Sequence, residues 1–115
     1  MATITSLTSQ QLEEKIKNNQ VEIIDVREKS EYDIVHVKNS KLVPLSELPT
    51  RVNEIDWSKD VIFICRSGSR SQMAANFAIS SGRNIFNVRG GIEQLYTDGK
   101  VDLLEISPDG VGGYF

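Results

Sequence analysis

The chain has 115 residues, 39% of them hydrophobic and 25% charged, which fits one globular domain. Its net charge of −3 leaves no electrostatic footprint for nucleic acid or an anionic membrane, and no apolar run approaches spanning length. One cysteine excludes an internal disulfide, and with a single histidine it argues against a structural zinc site or any other metal site. A lone thiol fits a reducing compartment, and the start Met1-Ala2-Thr3-Ile4 lacks the basic and apolar regions of a signal peptide, so the expected location is the cytoplasm.

In chain order, Ile4-Thr5 opens a short edge strand. Thr8 is positioned as a helix N-cap with Gln11 completing a capping box, and Leu7 and Leu12 form the hydrophobic staple. Leu12 and Ile16 share one helical face, and Asn18-Asn19 ends the helix. Val21 to Val26 reads as a buried strand, and Leu42-Val43 as another. Ser46 is placed to cap a short helix whose first turn tolerates Pro49 and whose apolar face is Leu48, Val52 and Ile55. Asp56-Trp57 anchors the loop before the central strand, Val61 to Ile64. The following helix, from Gln72, buries Met73, Phe77 and its alanines, and Gly82 stops it. Ile85 to Val88 is a strand, and Gly90-Gly91 turns into a helix over Ile92 to Thr97. Alternation of strands and helices implies a mostly parallel sheet covered on both faces, with ligands at the C-terminal strand ends. From Asp102 to Phe115, Pro108 and three glycines argue against regular structure, and no role is assigned.

The chemistry concentrates at Cys65-Arg66-Ser67-Gly68-Ser69-Arg70-Ser71. A thiol there sits between a strand end and a helix start, where unpaired backbone N–H groups and the helix dipole favour negative charge. Two readings are open: a small core cysteine, or a reactive thiolate. Two arginines on a tight loop beside it favour the second. Gly68 supplies a positive φ, and small Ser67 and Ser69 let N–H groups converge on the sulfur.

This loop resembles the active-site loop of single-domain rhodanese-type sulfurtransferases. Asp25-Val26-Arg27-Glu28 with Glu31-Tyr32, His36-Val37, Val43-Pro44-Leu45 and Gly90-Gly91-Ile92 resemble the family's other motifs, in order, over about residues 4 to 99. Val35, Lys38-Asn39 and Leu95 depart from the family pattern, which marks a divergent member. The resemblance implies an α/β fold with a five-stranded, mostly parallel sheet flanked by helices on both faces, formed by residues 1–115 as one domain with a tail over 102–115. It implies that Cys65 takes a sulfane sulfur as a persulfide and passes it on, without a cofactor. Arg66, Ser67, Gly68, Ser69, Arg70 and Ser71 would form the substrate and persulfide loop, with Arg66 pointing outward to an anionic donor and Arg70 closing the loop or contacting the same anion. Asp25, Arg27 and Glu31 are read as structural support, Arg27 and Glu31 as an ion pair with Asp25 nearby, and His36 as a structural hydrogen-bonding group. The expected partners are a small anionic sulfur donor such as thiosulfate, a cyanide or thiol acceptor, and protein donors or acceptors. Two alternatives stand beside this. Related phosphatases and arsenate reductases use a Cys-x5-Arg loop, whereas Cys65 and Arg70 are spaced Cys-x4-Arg. The other is a non-catalytic sulfur-carrier or binding module; inactive rhodanese-like domains tend to lack the cysteine, and this chain keeps it.

Overall fold

The computed structural model describes residues 2–18 and 20–115. Strand β1 (Ile4–Leu7) leads into helix α1 (Ser9–Asn18), and the capping box at its start is present: the Gln11 N–H donates to Thr8 Oγ1 at 3.2 Å, and the Thr8 N–H donates to Gln11 Oε1 at 2.9 Å. Asn19, expected with Asn18 at the helix end, lies outside the described residues. Strand β2 (Val21–Asp25), helix α2 (Lys29–Ile34), strand β3 (Val35–Val37) and strand β4 (Lys41–Leu42) follow. Helix α3 (Leu48–Arg51) comes next, then the central strand β5 (Asp60–Ile64), helix α4 (Ser69–Ala78), strand β6 (Ile85–Val88), helix α5 (Gly91–Thr97) and strand β7 (Leu104–Ile106).

Five strands form one parallel sheet in the order β1-β6-β5-β2-β4. The pleat explains how both faces are covered. Val61 and Phe63 of β5 point into one apolar cluster with Leu48, Ile55 and the α4 alanines. Ile62 and Ile64 point the other way, into a cluster with Leu12 of α1 and Ile92 and Leu95 of α5. Because β6, β5 and β2 are neighbours, the loops after Val88, Ile64 and Asp25 open at the same sheet edge.

Several expectations are corrected. Met73 and Phe77 are exposed, at 58% and 43%, while Ser71, Ala74, Ala75 and Ala78 make the buried face of α4. The helix lies so close over β5 and β6 that only small side chains fit beneath it. Ser46 caps nothing: it lies inside a 3-10 turn, and α3 has no side-chain cap, although Pro49 does sit in its first turn. The fourth strand is Lys41–Leu42 instead of Leu42-Val43. The tail is ordered along part of its length, since β7 pairs antiparallel with β3 and Leu104 is buried. Trp57 does anchor its loop, donating from Nε1 to the Val52 carbonyl at 2.8 Å.

Two substitutions on α4 test this helix orientation. Met73→Gln is expected to leave stability within about ±0.5 kcal/mol. Ala75→Leu is expected to cost ~1–3 kcal/mol through overpacking. Denaturant unfolding of both variants measures the difference, and the reverse ranking would place Met73 in the core.

Candidate active site

Cys65 follows directly on β5 and is 1% exposed, so its sulfur forms the floor of the loop and does not lie at the surface. It belongs to the apolar cluster beneath α4, so the burial expected of a small core cysteine is present beside the arginine-bearing loop that favours a reactive thiolate. Gly68 has φ +114°, and the turn this permits aims its N–H at Cys65 Sγ, 3.1 Å away. Ser71 Oγ stands 3.4 Å from the same sulfur. Ser67 and Ser69 are exposed, so Ser71 is the loop serine that reaches the thiol.

The loop is shaped from behind by the start of α5. The Ile92 N–H donates to the Cys65 carbonyl at 3.0 Å and the Glu93 N–H to the Arg66 carbonyl at 2.9 Å. These bonds draw two carbonyl oxygens away from the sulfur, leaving the N–H side of the loop facing it. The approach requires glycine at position 91. A Cβ there would lie 2.4 Å from the Cys65 oxygen and 2.5 Å from that of Arg66, and φ is +59°.

The charged residues pair differently from the sequence expectation. Arg27 and Asp25 are both wholly buried and bind each other, with Arg27 Nη2 donating to Asp25 Oδ2 at 2.7 Å and Nε to Oδ1 at 2.9 Å. Arg27 Nη2 also donates to the Val35 carbonyl at 2.6 Å. The expected Arg27–Glu31 ion pair is not formed, because Glu31 turns toward the loop. Arg70 reaches it with two parallel bonds, Nη1 to Oε1 at 2.7 Å and Nη2 to Oε2 at 2.9 Å. Arg66 is 41% exposed in its side chain, but it does not project freely into solvent: Nε lies 3.4 Å from Glu93 Oε2, and the guanidinium sits 5.0 Å from the centre of the Tyr114 ring. His36 stacks on Tyr32 and its Nδ1 lies 2.8 Å from the Tyr32 carbonyl, away from the thiol loop.

Two residues with no signal in the local sequence enter the site. Buried Asn87 of β6 accepts from Ser71 Oγ at 2.5 Å and donates to Gln72 Oε1 at 3.1 Å, fixing the hydroxyl beside the sulfur. Tyr114 accepts from Arg27 Nη1 at 3.0 Å and donates to Glu31 Oε2 at 2.7 Å. Burial raises the Tyr114 hydroxyl above its ordinary value, so it keeps the proton it donates. The bonds from Arg70, only partly opposed by burial, hold the Glu31 carboxyl down at about 2. Burial works against the Arg27 charge, and Asp25 more than offsets it, so Arg27 is raised.

A family model described as Rhodanese-like domain matches residues 8–98. A sulfurtransferase of Allochromatium vinosum is 29% identical over 91 residues, which cover 77% of this chain and 85% of that protein. A rhodanese-related protein of Thermoplasma volcanium superposes with a TM-score of 0.77 at 34% identity, covering 83% of this chain and 93% of its own. Other relatives are longer: the chain spans about half of YrkF of Bacillus subtilis, 31% identical over 93 residues covering 79% of this chain and 50% of that protein. At the level of the family these matches support sulfur transfer.

Two outcomes test the site geometry. Gly91→Ala is expected to cost roughly 2 kcal/mol or more and to slow alkylation of Cys65, because the loop carbonyls must move. Gly99→Ala, at φ +74° with open space around it, is expected to cost only about 1 kcal/mol and to leave Cys65 unchanged. Glu31 titrates at about 2 in the folded chain against an ordinary 4.5, so its contribution to stability is complete above 4.5 and is lost as the pH falls toward 2. Glu31→Gln is therefore expected to flatten the acid limb of the stability curve across that window. An unchanged acid limb would mean that Glu31 gains nothing from Arg70.

Proposed function

Since the chain belongs to the rhodanese-like family, we propose that it moves a sulfane sulfur from thiosulfate or a persulfide donor to cyanide or a thiol by way of a persulfide on Cys65. The observation that carries this reading is the Gly68 N–H aimed at Cys65 Sγ from 3.1 Å, in a loop whose nearby carbonyls are turned outward. Such a loop can hold negative charge on sulfur without a buried counter-ion.

In the donor step the Cys65 thiolate attacks the outer sulfur of thiosulfate. A new S–S bond forms, the bond to the sulfonate sulfur breaks, and sulfite leaves with the electron pair. In the acceptor step cyanide attacks the outer sulfur of the persulfide, thiocyanate departs, and the Cys65 thiolate returns. Neither step moves a proton from carbon or oxygen, so no histidine base is needed. The Gly68 N–H, beside Sγ, is the donor this reading relies on to stabilise the persulfide, since the Ser71 hydroxyl gives its proton to Asn87.

Four residues between Cys65 and Arg70 make a narrower ring than a phosphoryl group with three bonded oxygens demands. The reading therefore assigns sulfur in preference to phosphate or arsenate. The surroundings of Arg66 also bear on the donor. Its charge lies beside Glu93, and an anionic donor must compete with that carboxylate.

The test is thiocyanate formation from thiosulfate and cyanide, run beside hydrolysis of an aryl phosphate. Wild type is expected to form thiocyanate and leave the phosphate intact, and Cys65→Ser is expected to form none. Glu93→Gln is expected to lower the KM for thiosulfate about threefold with kcat little changed, as removal of an exposed competing charge would do. Phosphate hydrolysis without thiocyanate would overturn the reading.

A further inference from the structure

We propose that Tyr114 is a positioning residue for the Cys65 loop: its hydroxyl couples the buried Arg27 to the Glu31–Arg70 pair, and its ring holds Arg66. The inference rests on reading Cys65 as the reacting thiol. It concerns a segment beyond residue 98, where the family match ends.

The hydroxyl occupies a unique place in the polar chain. From Asp25, bonds run through Arg27 to the Tyr114 oxygen, on to Glu31, and from there to Arg70 on the first turn of α4. The direct route from Arg27 to residue 31 is a 3.5 Å contact from Nη1 to the backbone carbonyl, and the carboxylate's one other local bond is from the Glu28 N–H, 3.1 Å from Oε1. Removing the hydroxyl thus cuts the side-chain link between the rigid half and the loop half, leaving Glu31 tied on that side by the Glu28 N–H. The rigid half is wholly buried at the end of β2. The loop half is partly exposed, with Arg70 at 34% and Glu31 at 19% of side-chain surface, and without the hydroxyl Glu31 Oε2 keeps Arg70 as its remaining partner.

The ring acts on the second loop arginine. The guanidinium of Arg66 lies 5.0 Å from the ring centre and that of Arg27 lies 5.7 Å from it. Arg66 Nε is buried without a hydrogen bond, so the ring and the charge of Glu93 are what fix this side chain. One residue therefore sets both cations that flank the thiol.

Tyr114 can do this because its own segment is anchored. Strand β7 pairs with β3, the Ser107 N–H donates to the Ile34 carbonyl at 2.9 Å, and Phe115 packs 4.9 Å from the Tyr96 ring and against the cluster beneath α5.

The experiment compares alkylation of Cys65 by iodoacetate, an anion, and by iodoacetamide, its neutral counterpart. The ratio of the two rates reports the placement of positive charge at the loop and is insensitive to global stability. Tyr114→Phe keeps the ring and loses the hydroxyl, and it is expected to lower the ratio about threefold, the low end of what one net hydrogen bond supplies. Tyr114→Ala, which also frees Arg66, is expected to lower it further. Val111→Ala perturbs the same tail, with no polar side-chain contact to the loop, and is expected to lower the melting temperature while leaving the ratio at the wild-type value. As a second measurement, the NMR signals of the Arg70 guanidinium should broaden or exchange faster in Tyr114→Phe. An unchanged ratio in folded Tyr114→Phe, a ratio that shifts equally in Val111→Ala, or failure of Tyr114→Phe to fold would each overturn the proposal, the last because the hydroxyl would then be holding the fold. A shifted ratio in a protein that forms no persulfide would leave the role of Tyr114 standing and defeat the sulfur-transfer reading alone.

Discussion

The Asp25–Arg27 pair is the constraint around which this sheet edge is organised. Two opposite charges without solvent exposure must satisfy one another and every remaining donor, or the desolvation cost is uncompensated. Arg27 does so by drawing the Val35 carbonyl and the Tyr114 hydroxyl to the end of β2. The start of β3 and the C-terminal tail are thereby brought to the strand beside the thiol. Arg27→Met would exchange a charge network for apolar packing, and Asp25→Asn would strand a buried cation. The second change is the more damaging of the two by this reasoning.

The thiol loop is held by two different means. Below it, apolar alternation along β5 and the small side chains of α4 determine the depth at which Cys65 lies. Around it, polar bonds determine which backbone groups face the sulfur: the start of α5 turns the carbonyls away, and the Gly68 N–H points in. Charge near the loop is balanced, with Arg70 against Glu31 and Arg66 against Glu93. The backbone group aimed at the sulfur is the Gly68 N–H, and each of the two loop cations faces a carboxylate.

Much of this architecture was legible because its signals are local. The Thr8–Gln11 capping box, the apolar run before Cys65 and the Gly90-Gly91 turn each need only a few neighbouring residues to be recognised, and each stands where expected. The strand order β1-β6-β5-β2-β4 stood in neither the local pattern nor the family resemblance. What escaped was short or distant. Helix α2 has six residues and no buried face to give it a period, and a glutamate stands at its cap. The i, i+4 spacing of Arg27 and Glu31 invited a local ion pair, but partners far along the chain, Arg70 and Tyr114, took Glu31 instead. Met73 and Phe77 looked like a helical core stripe, and the close approach of α4 to the sheet gave that face to alanine and serine. Asn87 and Tyr114 had no local motif to mark them.

The proposed sulfur transfer stands or falls on Cys65 as the carrier of the sulfur. Intact-mass spectrometry of the folded protein after thiosulfate, followed by peptide mapping, tests it most directly. The expected result is a gain of one sulfur atom located on Cys65, and its loss when cyanide is added. A folded protein of unchanged mass, or added sulfur that cyanide cannot remove, would contradict it.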